Sequence, residues 1–250
     1  MCTVTFIPKK EGGFTLTQNR DVRPARFARL LVHEERGDAQ IMYPKDSVAG
    51  GTWISASSND RVFCVMNGAF QAHPMGGKYR MSRGLIALQF YDHDHSKLFF
   101  EQVNLEHIEP FTMIAFDQGL LYEFRWDGEK RYLLSKDPES EHIWASSTLY
   151  DAHWQGRRQF WFNQWLKEYP TRSSKEITAF HHLAGDGDSE NDLVMNREDL
   201  VRTVSITMVE RSKAKICLHL QSMVSDVTLS GRVELLASPD TSKTKTPEQD

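Results

Sequence analysis

The first twenty-one residues constrain the fold most. Cys2, Val4 and Phe6 alternate with Thr3, Thr5 and Ile7 in a run rich in β-branched side chains. That is the period of a strand with two different faces. Pro8 to Gly13 supplies turn residues, and Phe14-Thr15-Leu16-Thr17 resumes the alternation. The pattern predicts a β-hairpin with a loop of about six residues. If Ile7 pairs with Phe14, Cys2 falls opposite Asn19, with Arg20 and Asp21 beside it. The chain therefore opens in an antiparallel sheet, with a thiol at the start of its first strand.

That thiol has chemical consequences. Removal of Met1 would make Cys2 the N-terminal residue and give it a free α-amine. A thiol titrates near about 8.5 and an α-amine near about 7.7–8.0, so the amine can act as a base near neutral pH. A neighbouring guanidinium favours the thiolate, and a carboxylate orients the amine. Cys2, Arg20 and Asp21 are accordingly candidate catalytic residues, and Asn19 a candidate ligand-binding residue.

A second hairpin is predicted from Gly51 to Ala56 and Arg61 to Asn67, turned at Ser58-Asn59-Asp60. The same pairing arithmetic brings Asn67 close to Gly50-Gly51. Asn67 could donate its amide to an oxyanion. Gly50 and Gly51 allow backbone to approach a ligand closely; with Trp53 they are the remaining candidate ligand-binding residues. Ser82 starts a helical segment through Phe90, and a second covers Ser96 to Val103. Strands follow at Phe111 to Phe116, Leu120 to Trp126 and Arg131 to Leu134. A long helix after Tyr150 carries Trp154, Trp161, Phe162, Trp165, Leu166 and Tyr169 on one wide face and stops at Pro170. The capping-box spacing Ser173-x-x-Glu176 opens another. Thr203 to Glu210, Lys215 to Gln221 and Val227 to Leu235 close the chain with strands. Hairpins at both ends with helices grouped between them make an α+β order, not a repeating βαβ one.

Composition excludes several function classes. The 30 basic and 34 acidic residues give a net charge of -4 without a basic stripe, so no nucleic-acid partner is expected. Cys2, Cys64 and Cys217 suggest a reducing compartment and no disulfide framework. No transmembrane segment or secretory leader is legible, and a cytoplasmic location is expected. One domain is expected over 1–237, with 238–250 as a polar, disordered tail. Asp92-His93-Asp94-His95 reads as a connector. His181-His182 and the acids Asp186, Asp188, Glu190 and Asp192 lack the spacing of a metal loop, so no metal site is expected.

Several segments together resemble the NRDE, or transport and Golgi organisation, family from Met1 to about Leu236. They are Met1-Cys2-Thr3-Val4-Thr5-Phe6, Asn19-Arg20-Asp21, Asp46-x-x-x-Gly50-Gly51-Thr52-Trp53, Ser82-Arg83-Gly84, Ser146-Ser147-Thr148-Leu149-Tyr150 and Thr203-Val204-Ser205-Ile206-Thr207. The name of the family comes from Asn-Arg-Asp-Glu, and Val22 stands here where the glutamate belongs. The family looks like the N-terminal-nucleophile hydrolases, which implies a four-layer αββα fold with two stacked antiparallel sheets. In the cysteine branch of those enzymes, which cleaves linear amides, the resemblance assigns nucleophile, guanidinium and carboxylate to Cys2, Arg20 and Asp21, with Asn67 as oxyanion donor. Eukaryotic members are associated with haem trafficking and acyl-CoA or lipid handling.

Two functions follow as expectations. One is an amidohydrolase or acyltransferase that needs no cofactor and acts on a linear amide or thioester through Cys2. The other is a non-catalytic protein that binds haem, acyl-CoA or lipid in the same cleft, with Cys2 or a histidine such as His181 on the haem iron.

Overall fold

Strand β1 (Cys2–Pro8) pairs antiparallel with β2 (Phe14–Val22), and Cys2 lies opposite Arg20, Thr3 opposite Asn19 and Pro8 opposite Phe14. The register expected from the sequence is therefore corrected by one residue. Pro8 remains in the strand, and the loop shortens to Lys9–Gly13, where Gly12 and Gly13 take positive φ angles of 84° and 99°. That one step matters, because directly opposed residues share a face of the sheet. Cys2 and Arg20 occupy one face; Asn19 and Asp21 occupy the other.

The computed structural model describes residues 2–73 and 77–236; the expected tail lies outside them. After the first hairpin the chain builds the whole of a second sheet in sequence order. Its strands are β3 (Ala28–Arg36), β4 (Ala39–Asp46), β5 (Ile54–Ser57), β6 (Arg61–Asn67), β7 (Phe111–Asp117), β8 (Leu120–Trp126) and β9 (Arg131–Lys136). Helices α1 (Arg83–Leu88) and α2 (Ser96–Gln102) lie between β6 and β7 in sequence. The chain then returns to the first sheet with β10 (His142–Ala145), beside β1. Helices α3 (Ala152–Glu168) and α4 (Ser174–Leu183) follow, then β11 (Asn196–Arg197), β12 (Val201–Arg211), β13 (Lys215–Ser222) and β14 (Thr228–Glu234). The first sheet runs β10-β1-β2-β12-β13-β14, with β11 on β12, and every pairing in both sheets is antiparallel.

Side-chain alternation stacks these elements into four layers. Val4, Phe6 and Leu16 meet Val62, Ile114 and Phe116 between the sheets. On the outer face of the first sheet, Trp161, Phe162 and Trp165 of α3 and Ile177 and Phe180 of α4 pack on Ile7 and Met208. On the outer face of the second, Ile86, Phe99 and Phe100 pack on Phe63, Phe111 and Phe124. The αββα expectation holds, and the buried aromatic face of α3 is core.

Sequence reading missed β3, β4, β10 and the two-residue β11. The run His33-Glu34-Glu35-Arg36 makes β3 a polar edge strand, and Pro44 interrupts the strand signal of β4. Strand β10 has only four residues, too few to display a period.

Candidate functional site

The face shared by Cys2 and Arg20 looks into the space between the sheets. Cys2 is 2% exposed and Arg20 3%. Arg20 donates through Nη2 to Asp46 Oδ2 and through Nη1 to the Arg26 carbonyl. Its guanidinium lies 3.6 Å from the centroid of the Trp53 ring. Arg26 reaches the same Asp46 oxygen through Nε at 3.0 Å and Nη2 at 2.7 Å. The other oxygen, Oδ1, accepts from the Val48 and Ala49 amides at 2.9 Å each. One carboxylate thus fixes two guanidiniums and its own loop. Burial alone would raise Asp46, but Arg20, the loop amides and Arg26 hold it below the ordinary carboxylate value. Burial brings Arg20 down to about 10, which leaves it cationic at neutral pH.

The Asp46 loop is closed by Asp46 N–H on the Gly51 carbonyl at 2.8 Å and Gly50 N–H on the Asp46 carbonyl at 3.0 Å. Gly50 has a φ of 73°, where a side chain would be strained. A Cβ on Gly51 would sit 2.7 Å from the Gly84 carbonyl carbon, and one on Gly84 would collide with the backbone of Thr52. The Gly50-Gly51-Thr52 and Ser82-Arg83-Gly84 segments therefore dock backbone to backbone. Gly51 seats α1, and Trp53 supports Arg20.

That docking sets Arg83 at the first turn of α1, where Nη2 pairs with Glu109 at 2.9 Å and Nη1 donates to the Pro110 carbonyl at 3.1 Å. The same carbonyl accepts from Gly68 N–H at 3.0 Å. Asn67, half-buried at the end of β6, is tied to β1 through one residue. Ser146 Oγ donates to the Asn67 carbonyl at 2.8 Å, and Ser146 N–H donates to the Cys2 carbonyl at 2.9 Å. The structure thus brings Cys2, Arg20 and Asn67 to one end of the space between the sheets.

Asn19 and Asp21 face the helices. Asn19 donates to the His181 and Leu193 carbonyls at 2.9 and 2.8 Å, and its Oδ1 bonds His181 Nδ1. The His181 Nε2 lies 2.7 Å from Thr5 Oγ1. Because both Asn19 protons are spent on carbonyls, Nδ1 carries the imidazole proton and Nε2 accepts from Thr5. Asn19 thus braces β2 against α4. Asp21 is fully buried; its oxygens accept from Tyr150 Oη and Thr203 Oγ1 at 2.7 Å each, and burial raises its pKa.

The polar clusters weighed as metal ligands have other partners. His95 Nδ1 accepts from Leu98 N–H and caps α2. Asp186 holds Arg157 and Trp161, while Asp192 accepts from the Asp186 and Gly187 amides. Among the described residues, no group of three or more His, Cys, Asp or Glu side chains is placed to hold a metal ion. Haem ligation by His181 does not fit, since both its ring nitrogens are engaged and the side chain is buried.

A family model described as Transport and Golgi organisation 2 matches residues 1–226. The chain belongs to that family. The family segments that stand apart in sequence converge in space: Asp46 on Arg20, Gly84 on Thr52, and Tyr150 and Thr203 on Asp21. No curated protein sequence matches the chain. Among solved structures, two mutants of the conjugated bile acid hydrolase from Clostridium perfringens are similar in fold. One has 9% identity, a TM-score of 0.56, and coverage of 95% of this chain and 97% of its own. The other has 9% identity, a TM-score of 0.53, and coverage of 96% and 100%. The Caenorhabditis elegans orthologue of N-acylethanolamine-hydrolyzing acid amidase matches at 12% identity and a TM-score of 0.50, over 83% of this chain and 92% of its own. This family member thus has the αββα fold of N-terminal-nucleophile hydrolases. Sequence reasoning gave no role to Asp46, Arg83, Ser146, Tyr150 or Thr203, although each stood in a segment that carried the resemblance.

Among the described residues, no helix is long and apolar enough to cross a membrane.

Proposed function

We propose that the protein is an N-terminal-nucleophile amidohydrolase or acyltransferase, with Cys2 as nucleophile after removal of Met1. The observation that carries this reading is the cross-strand pair of Cys2 and Arg20, with Arg20 held in place by Asp46 and Trp53. The fold neighbours support it, since their names describe hydrolysis of bile acid conjugates and of N-acylethanolamines. A small linear amide or thioester is the corresponding substrate class here.

In this mechanism the positive charge of Arg20 stabilises the Cys2 thiolate. The thiolate attacks the carbonyl carbon, and the Asn67 amide donates to the developing oxyanion. Asp21 follows Arg20, the cross-strand partner of Cys2, on β2. Asp21 would thus orient the freed α-amine, which takes the thiol proton and passes it to the leaving group. Water or another acceptor then attacks the S-acyl intermediate and regenerates the thiol. No cofactor enters these steps.

Intact mass and peptide mapping test the reading. The probes are short-chain acyl p-nitroanilides and acyl thioesters of N-acetylcysteamine, incubated with wild type and Cys2→Ala. The expected result is an acyl adduct on Cys2 in wild type and none in the variant, which keeps Cys64 and Cys217. Equal labelling of both proteins, or binding of a thioester without turnover by either, would move the chain to the non-catalytic acyl-CoA or lipid-binding class.

A further inference from the structure

The Tyr150 ring stands between two buried side chains, the Asp21 carboxyl and the Arg158 guanidinium. Both are buried, at 0% and 1% exposure. Neither takes part in any ion pair within 4.0 Å among the described residues. Arg158 instead donates to neutral oxygens: Thr3 Oγ1 at 3.0 Å, the Trp154 carbonyl at 3.3 Å, and the Asn191 and Asp192 carbonyls at 2.9 and 3.3 Å. Its guanidinium carbon lies 3.4 Å from the centroid of the Tyr150 ring. Tyr150 is itself fully buried, and its hydroxyl donates to Asp21 Oδ2 at 2.7 Å.

We propose that Tyr150 and Arg158 are positioning residues that keep the Asp21 carboxylate ionised and directed at the α-amine of Cys2. A buried carboxylate without compensation takes up a proton. A guanidinium in direct bidentate contact would prevent that, but would also use the oxygens and cancel the charge that the amine needs. The ring between them avoids both outcomes. Arg158 on the π face makes the phenol a stronger donor, and its charge acts on Asp21 across the ring. Each Asp21 oxygen has accepted one hydrogen bond and retains a free lone pair. The other charged or titratable groups around this unit are Arg197, 5.9 Å from the Tyr150 ring centroid, and His181, which faces β2 from α4 and is held by Asn19. Arg20 lies on the opposite face of β2 from Asp21.

The inference rests on the reading of Cys2 as an N-terminal nucleophile, and its test separates the two. The α-amine of mature, [13C,15N]cysteine-labelled protein is titrated by the Cys2 carbon shifts in wild type, Tyr150→Phe and Tyr132→Phe. Tyr132 serves as control because its hydroxyl binds Asp127 and its strand, β9, belongs to a different sheet from Asp21. An ionised Asp21 raises the amine pKa, so Tyr150→Phe should lower the midpoint by about one pH unit, a tenfold loss of basicity. Tyr132→Phe should leave it unchanged. A second measurement needs no variant: the Asp21 Cγ shift of wild type should be that of a carboxylate at neutral pH. An unchanged midpoint in folded Tyr150→Phe, or a protonated Asp21 in wild type, overturns the positioning role while the Cys2 reading stands. Retention of Met1 in the intact mass overturns the reading itself.

Discussion

At the scale of single residues, the site depends on which face of β2 each side chain takes. Arg20 turns inward to Cys2, while Asn19 and Asp21 turn outward to α3, α4 and β12. His181, braced by Asn19, gives a direct test of that outward layer. Burial lowers its pKa to about 3, so the native state keeps it neutral where the unfolded chain protonates near about 6.5. The unfolded state then binds more protons as pH falls below about 6.5, and stability drops by about 1.4 kcal/mol per pH unit until the folded pKa is reached. Between about pH 6.5 and about pH 5, His181 should cost wild type roughly 2 kcal/mol, and His181→Gln should lack this increment. Urea unfolding of both proteins at the two pH values checks it; equal losses would show that His181 titrates normally. The proximity of Cys2 to Arg20 and Asp21 was legible because a short hairpin joins their strands. Asp46, Tyr150 and Thr203 were not, because their partners are 26, 129 and 182 residues away. No local period encodes contacts at that separation.

At the scale of elements, local patterns succeeded where amphipathicity or capping was strong. The Ser173/Glu176 capping box of α4 is fully formed, with Ser173 N–H on Glu176 Oε2 at 2.7 Å. The β5–β6 register also follows the sequence arithmetic, with Ile54 opposite Cys64. The β1–β2 register was misread by one residue because Pro8 usually signals a turn, yet it ends a strand here. Strands β3 and β4 gave little signal because the chain spends charged residues and a proline on that edge. The docking of α1 on the Asp46 loop was also invisible, since glycine carries no pattern of its own. Gly84→Ala should therefore be more damaging than its size suggests, destabilising the protein by about 2 kcal/mol through overpacking against Thr52. It should also slow alkylation of Cys2 by iodoacetamide, because Thr52 leads directly into Trp53 under Arg20. Thermal melts and alkylation rates check this. A variant as stable and reactive as wild type would mean that α1 docks loosely.

At the scale of the whole molecule, the second sheet is a continuous meander inserted between the first hairpin and the rest of the first sheet. This topology puts the start of the chain in the interior of the first sheet, with β10 on one side of β1 and β2 on the other. A thiol placed there has the second sheet in front of it and the α3–α4 layer behind its strand. The proposed catalyst needs one covalent event that the fold does not itself supply, which is cleavage of the peptide bond before Cys2. The most direct measurement is the intact mass of the protein purified from cells. The account predicts a mass short by one methionine residue, with Cys2 N-terminal. A mass that retains Met1 would lock the α-amine in a peptide bond and contradict the proposal that Cys2 is an N-terminal nucleophile.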